Sequence, residues 1–191
     1  MKTPPADLAE RLLEASEQVL FGDPPPRLED VARLVGASRA TLYYYFSGRD
    51  DLLAFLLTAH ARRGAETIRT AIGPDDPPDL RLRAMVAAMV QYLGHHPGMC
   101  AGLLTALGAT GRMSEVLQTN DTWIAAPLRE LLSAGRQSGA FAIDNVADAA
   151  NALLGAILLG VLGRSMSGAD PTDPAFQRQL SEQAVQGVMA H

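Results

Sequence analysis

The chain has 191 residues, 48% hydrophobic and 19% charged, with a single cysteine, Cys100. That is enough apolar material to bury a core and too little charge for intrinsic disorder, and one cysteine excludes an intramolecular disulfide framework or a cysteine-built zinc site. A formal net charge of −5 excludes a surface coated in positive charge for nonspecific nucleic-acid binding, so any nucleic-acid contact must be local.

Met1 to Asp7 lacks the basic start and apolar run of a secretory signal, and cytoplasm is the expected compartment. Helical spacing recurs along the chain while strand-like alternation does not persist, which predicts an all-α protein. Breaks at Gly22 to Pro26, Gly73 to Pro78, Pro97-Gly98, Gly108 to Gly111, Ser138-Gly139 and Gly168 to Pro174 divide it into about nine helical segments.

The first segment, Leu8 to Leu20, places Leu8, Leu12, Ala15 and Val19 on one face and Glu10, Glu14 and Glu17 largely opposite, an amphipathic helix. A short helix from Leu28 to Val35, the turn Gly36-Ala37-Ser38 and a second short helix to Phe46 follow with helix-turn-helix spacing. Gly36 can take the left-handed conformation that ends the first helix, and Ser38 can cap the second. Leu42 and Phe46 are expected to pack against Val31, Leu34 and Val35.

The opposite side of the second helix then carries Ala40, Thr41 and Tyr44, with Arg39, Tyr43 and Tyr45 on its flanks. Tyrosine can stack on sugars, hydrogen-bond phosphates and touch thymine methyls, and Arg39 could reach guanine O6 and N7. This is the dress of a recognition helix in a major groove. Between Arg27 and Arg49, four arginines against Glu29 and Asp30 leave +2 on this segment and −7 on the remainder, which would turn this face toward phosphate.

Residues Val31 to Phe46, VARLVGASRATLYYYF, followed by Ser47 to Leu52, SGRDDL, resemble the signature of TetR-type bacterial transcriptional regulators. Leu128 to Leu132 leading to Gly139-Ala140-Phe141 is similar to the family's seventh helix and its exit. The resemblance implies an all-helical homodimer, with a three-helix DNA-binding domain over residues 1–50 and an effector-binding and dimerisation domain over residues 51–191. It implies a regulator, most often a repressor, that binds a pseudo-palindromic operator in double-stranded DNA and is released by a small ligand. By the same resemblance Thr41 and Tyr43 would contact the DNA backbone, and Arg49 stands where a lysine usually holds a phosphate. Arg39, Ala40, Tyr44 and Tyr45 would contribute base or nearby phosphate contacts, and Ser38, the cap, is counted with the DNA-binding residues. Arg27 replaces a common threonine cap before the first helix of the motif, so that cap is expected to be lost, with Arg27 free to reach phosphate.

Beyond Asp51, a long helix from Leu52 to Ile72 would link head to body, and its bend would be the switch in a member of this family. Leu80 to Leu93 and Ala149 to Leu162 are apolar on most sides and are expected to be buried in a bundle; the latter falls short of a membrane span. Ala152, Ala156 and Gly160 on one helix and Phe176, Leu180, Ala184 and Val188 on the last form matching stripes, which the resemblance assigns to a dimer's four-helix bundle.

Asn120 and Asn151 on inner stripes are expected to bury amides that a ligand could satisfy. Met85, Met89, Tyr92, Met99, Leu103, Met113, Trp123, Ile124 and Leu154 could line an adaptable apolar cavity, which favours an apolar or aromatic effector. No phosphate loop, nucleophile elbow or His-Glu-x-x-His pattern is present, so neither an enzyme nor a bound cofactor is expected. The competing readings are a ligand carrier or helical enzyme whose head does not bind DNA, and a metal sensor built on His95, His96 and Cys100.

Overall fold

The computed structural model describes residues 2–107 and 112–189, and within these the all-α expectation is borne out. The expected first helix is two helices, α1 (Ala6–Glu14) and α2 (Ser16–Phe21), separated at Ala15, where ψ rises to 0°. The break lets Ser16 enter the body of the molecule, where it is 1% exposed. The helix-turn-helix follows as α3 (Leu28–Leu34) and α4 (Arg39–Tyr45). Gly36 turns between them at φ +63°, and Ala37 donates its N–H to the carbonyl of Ala32 at 2.8 Å.

Leu42 and Phe46 are fully buried against Val31, Val35 and Leu28, but Leu34 is 47% exposed rather than in the core. At 100° per residue Leu34 falls outside the arc spanned by Leu28, Val31, Ala32 and Val35. The head's apolar cluster continues without a gap into Leu52, Leu56 and Leu57 of the long helix α5 (Arg49–Ala71), and to Met99.

The body is built from α5, α6 (Pro78–His95), α7 (Pro97–Ala106), α8 (Arg112–Asn120), a π-helical turn (Asp121–Ala125), α9 (Ala126–Ser138), α10 (Val146–Met166) and α11 (Pro174–Gln186). Its main core joins Leu82, Val86 and Val90 of α6 to Leu128 and Leu132 of α9 and Leu153 and Ile157 of α10. Gly135 lies against Phe141, so close that any side chain there would collide with the ring, and Gly139 ends α9 at φ +78°.

Two expectations about the last helices need correction. The helix around Ala149 to Leu162 runs over 21 residues and is long and apolar enough to cross a membrane, yet only 28% of its most apolar window is buried. Ala150, Leu153, Ile157 and Val161 pack inward, whereas Ala152, Ala156, Leu159, Gly163 and Met166 face outward. The stripe on α11 is spent within the chain: Leu180, Ala184 and Val188 join the core, and Phe176 lies under Arg164 at 4.9 Å. Gly160 belongs to that internal contact, since a Cβ there would stand 2.7 Å from Leu180.

Candidate functional site

The short helix α4 is fixed by its cap: Ser38 Oγ accepts the N–H of Thr41 at 3.0 Å and lies 2.7 Å from the Thr41 hydroxyl. The cap before α3 is half restored, because the Asp30 carboxylate accepts the Arg27 N–H at 3.1 Å and leaves the Arg27 side chain exposed. Burial of Leu42 and Phe46 turns Arg39, Ala40, Tyr43 and Tyr44 to solvent, Tyr44 at 59% exposure, with Thr41 and Tyr45 half-buried beside them. The rings of Tyr44 and Tyr45 meet edge to face at 5.0 Å, and the Lys2 ammonium sits 3.6 Å from the Tyr44 ring.

Glu29 on α3 holds two of these groups at once. Its carboxylate accepts the Tyr43 hydroxyl at 2.9 Å and pairs with Arg39 at 3.1 Å, contacts that lower its pKa after the larger effect of its own backbone N–H. Arg49, at the start of α5, has its Nε shut off from solvent without a hydrogen-bond partner among the described residues. A phosphate oxygen is an acceptor that suits a guanidinium.

The head meets the body through α2. Ser16 Oγ lies 2.8 Å from His60 Nε2, and His60 Nδ1 lies 2.9 Å from the Tyr92 hydroxyl, so one buried imidazole bridges α2 and α6. Burial holds the His60 pKa down at about 4 and pushes Tyr92 up to about 12, leaving both neutral near pH 7. Beside them Glu17 accepts the Gly98 N–H at 2.8 Å, at the N-terminal end of α7, and burial raises its pKa.

His60 and Tyr92 also form part of the wall of a cavity of about 300 Å³ enclosed by α5 to α8, the π-helical turn and α10. Met89, Tyr92, Met99 and Leu103 line it, as do Asn120, Ile124, Asn151 and Leu154. Asn120 is half-buried and Asn151 is exposed rather than buried; neither amide is hydrogen-bonded among the described residues. Among the described residues, no Asp, Glu, Lys or Arg lines this cavity.

Met85 and Trp123, expected here, instead line a separate groove outside Ile68, because their helix faces turn away from α10. The Met113 side chain lies outside the described residues. His60 and Gly64 are among the wall residues that the sequence reading passed over, with Ile68, Leu117 and Leu158. A lone histidine in register with Leu56, Leu57, Ala61 and Gly64 on the inner face of α5 was the available signal.

His95, His96 and Cys100 do not converge. His95 Nδ1 bonds the carbonyl of Gln91 at 2.8 Å, and His96 packs on His60 and Tyr92 with ring centroids 4.7 Å from each. Cys100 is buried with Val161 and Leu162, and burial pushes its thiol up to about 12.

The family of bacterial regulatory proteins, tetR family, matches residues 12–55, which bears out the resemblance read from residues 31–52. An uncharacterized HTH-type transcriptional regulator of Mycobacterium tuberculosis is 28% identical over 99 residues, 51% of this chain. The chain spans about half the length of the curated relatives it matches, 49% in that case. The fold extends further. The fatty acid degradation regulator FadR from Bacillus halodurans superposes with a TM-score of 0.74 at 21% identity, covering 93% of this chain and 98% of that one. A TetR transcription regulator from Haloarcula marismortui gives 0.74 at 20% identity, over 97% and 100%. A ketosteroid transcriptional regulator of Mycobacterium tuberculosis gives 0.70 at 18%, over 99% and 98%.

Proposed function

We propose that this protein is an effector-responsive DNA-binding regulator that acts as a homodimeric repressor on a pseudo-palindromic operator and is released by a small uncharged, apolar or aromatic ligand. Residues 1–50 read DNA and residues 51–191 hold the effector and the partner subunit. The observation that carries this reading is the position of His60, which is at once a wall of the cavity and the hydrogen-bond partner of Ser16 in the head. A ligand that draws on Tyr92 or His60 competes with the bond that seats α2 on the body.

Arg39 and Tyr44 supply base contacts, and Thr41, Tyr43 and Arg49 hold the backbone, with Arg27, Ser38, Ala40 and Tyr45 at the edges of the same face. Ala152, Ala156, Leu159, Gly163 and Met166 on α10 recur at alternating steps of four and three, the spacing of a helix seam, and are outward-facing in the single chain. A second copy of α10 covers them and sets two α4 helices for grooves roughly 34 Å apart. A neutral effector suits this wall, which among the described residues offers amides, a hydroxyl and a neutral imidazole but no fixed charge. The fatty acid and ketosteroid regulators that share the fold support an apolar effector for this chain as well. A coupling of about 1–3 kcal/mol would weaken operator binding by roughly 5- to 150-fold.

The test is selection of genomic fragments by the purified protein at about 0.15 M salt, where nonspecific phosphate binding is already weak. One enriched inverted repeat is expected, and its enrichment should be lost in Tyr44→Ala. A folded dimer that enriches no sequence overturns the reading.

A further inference from the structure

Arg81, in the first turn of α6, has its Nε shut off from solvent with no hydrogen-bond partner among the described residues. Buried guanidinium N–H groups are nearly always satisfied, so this one marks a place where an acceptor is missing. Arg81 also lines a groove of about 540 Å³ between α5, α6, the π-helical turn and α9. Arg62 of α5 lines the same groove and has no carboxylate partner among the described residues. Arg69 is already committed, donating to both carboxylate oxygens of Glu66 at 3.0 and 2.6 Å. Glu130 is the remaining acid, so the lining carries a net positive charge.

The other wall is apolar. Met85 and Leu131 floor the groove, and Trp123 stands at its edge, 48% exposed. Trp123 is presented by the π-helical turn Asp121–Ala125, a local departure from α geometry that recurs at functional sites. Two uncommitted guanidinium groups beside an exposed indole match a planar anion: the fork binds a carboxylate bidentately and the indole stacks on a ring.

We infer that this groove is a second ligand site, distinct from the inner cavity, for a small anionic amphiphile: a carboxylate carried on a flat aromatic body, with the carboxylate on Arg81 and Arg62 and the ring on Trp123. The two sites divide ligands by charge. Among the described residues the inner cavity has no cation to neutralise a carboxylate, whereas the groove has three arginines, of which only Arg69 is paired with an acid. The inference stands on the groove alone and does not depend on DNA binding.

Trp123 is the chain's one tryptophan, so its emission reports the groove directly. The probe is 4-bromobenzoate, whose bromine quenches indole on contact, with the uncharged 4-bromobenzamide as its isostere. Quenching by the benzoate is expected to saturate, and quenching by the amide to rise only linearly with concentration. Arg81→Gln should raise the benzoate midpoint at least tenfold, Arg81→Lys less, and the exposed Arg62→Gln by a few-fold, with melting temperatures unchanged. Asn120→Leu, in the inner cavity, should leave the midpoint where it was. Saturation by the amide at the same midpoint overturns the proposal. So does an unchanged midpoint in either glutamine variant, or a shifted midpoint in Asn120→Leu.

Discussion

On α4 and at the start of α5, Arg39, Tyr44 and Arg49 leave polar groups exposed or unpaired, whereas at the junction Ser16, His60 and Tyr92 satisfy one another inside the protein. In the first arrangement only Arg39 has an acceptor among the described residues, the carboxylate of Glu29. In the second, the three side chains already bond one another and only Glu17 Oε1 beside them has no hydrogen-bond partner among the described residues, so a ligand that reaches His60 or Tyr92 exchanges a hydrogen bond that exists. That difference separates a surface built for encounter from a joint built to be switched: the recognition face trades only exposed contacts to Glu29, while the joint trades buried hydrogen bonds.

The comparison is broken most severely at His60. His60→Ala removes a buried ring and strands two hydroxyls, and urea unfolding should show a loss of about 3 kcal/mol. A loss below about 1 kcal/mol would mean that the junction does not hold head to body. Acid should act on the same residue. Folded His60 titrates near 4 against 6.5 for an ordinary histidine, so the unfolded chain binds more protons between those values. Stability therefore falls as pH drops through that window, by up to roughly 3 kcal/mol for this group, and is insensitive to it above 6.5. The raised pKa of Glu17 works in the opposite direction and offsets part of the loss. Chemical denaturation of His60→Gln across that window should give a flatter profile.

On the recognition face the effects are smaller and appear in binding. Arg39→Ala and Tyr44→Ala should each cost about 1–3 kcal/mol on the selected operator and little on random DNA in a titration at fixed salt. Arg49→Ala should weaken operator and random DNA alike and reduce the salt slope by about one unit. The smallest change is expected for Glu29→Gln, which frees Arg39 and Tyr43 and should tighten operator binding by less than about fivefold. Weaker binding in that variant would show that Glu29 positions those side chains rather than competing for them.

Much of the head could be read from neighbouring residues because its geometry is local. Gly36 must turn, Ser38 must cap, and burying Leu42 and Phe46 at helical spacing forces the tyrosines outward. The cavity wall was partly readable: Asn120, Ile124 and Leu154 follow the inner stripes of their helices. Met85 and Trp123 went to the neighbouring groove because which flank of a helix faces the cavity depends on how α5, α6 and α9 pack. Leu34 missed the core for a local reason, its position just outside the buried arc of α3.

The sequence by itself determined the helical class, the helix-turn-helix and the chemistry of its exposed face, since helix period, capping and turn conformation act over a few residues. Only the tertiary structure decided that Ser16 reaches His60 across 44 positions of chain, that α10 keeps one apolar face outward while α11 spends its stripe inward, and that Arg81 is left without an acceptor. Those outcomes depend on which helix faces meet, and contacts between residues far apart in the chain are set by packing that no local pattern encodes.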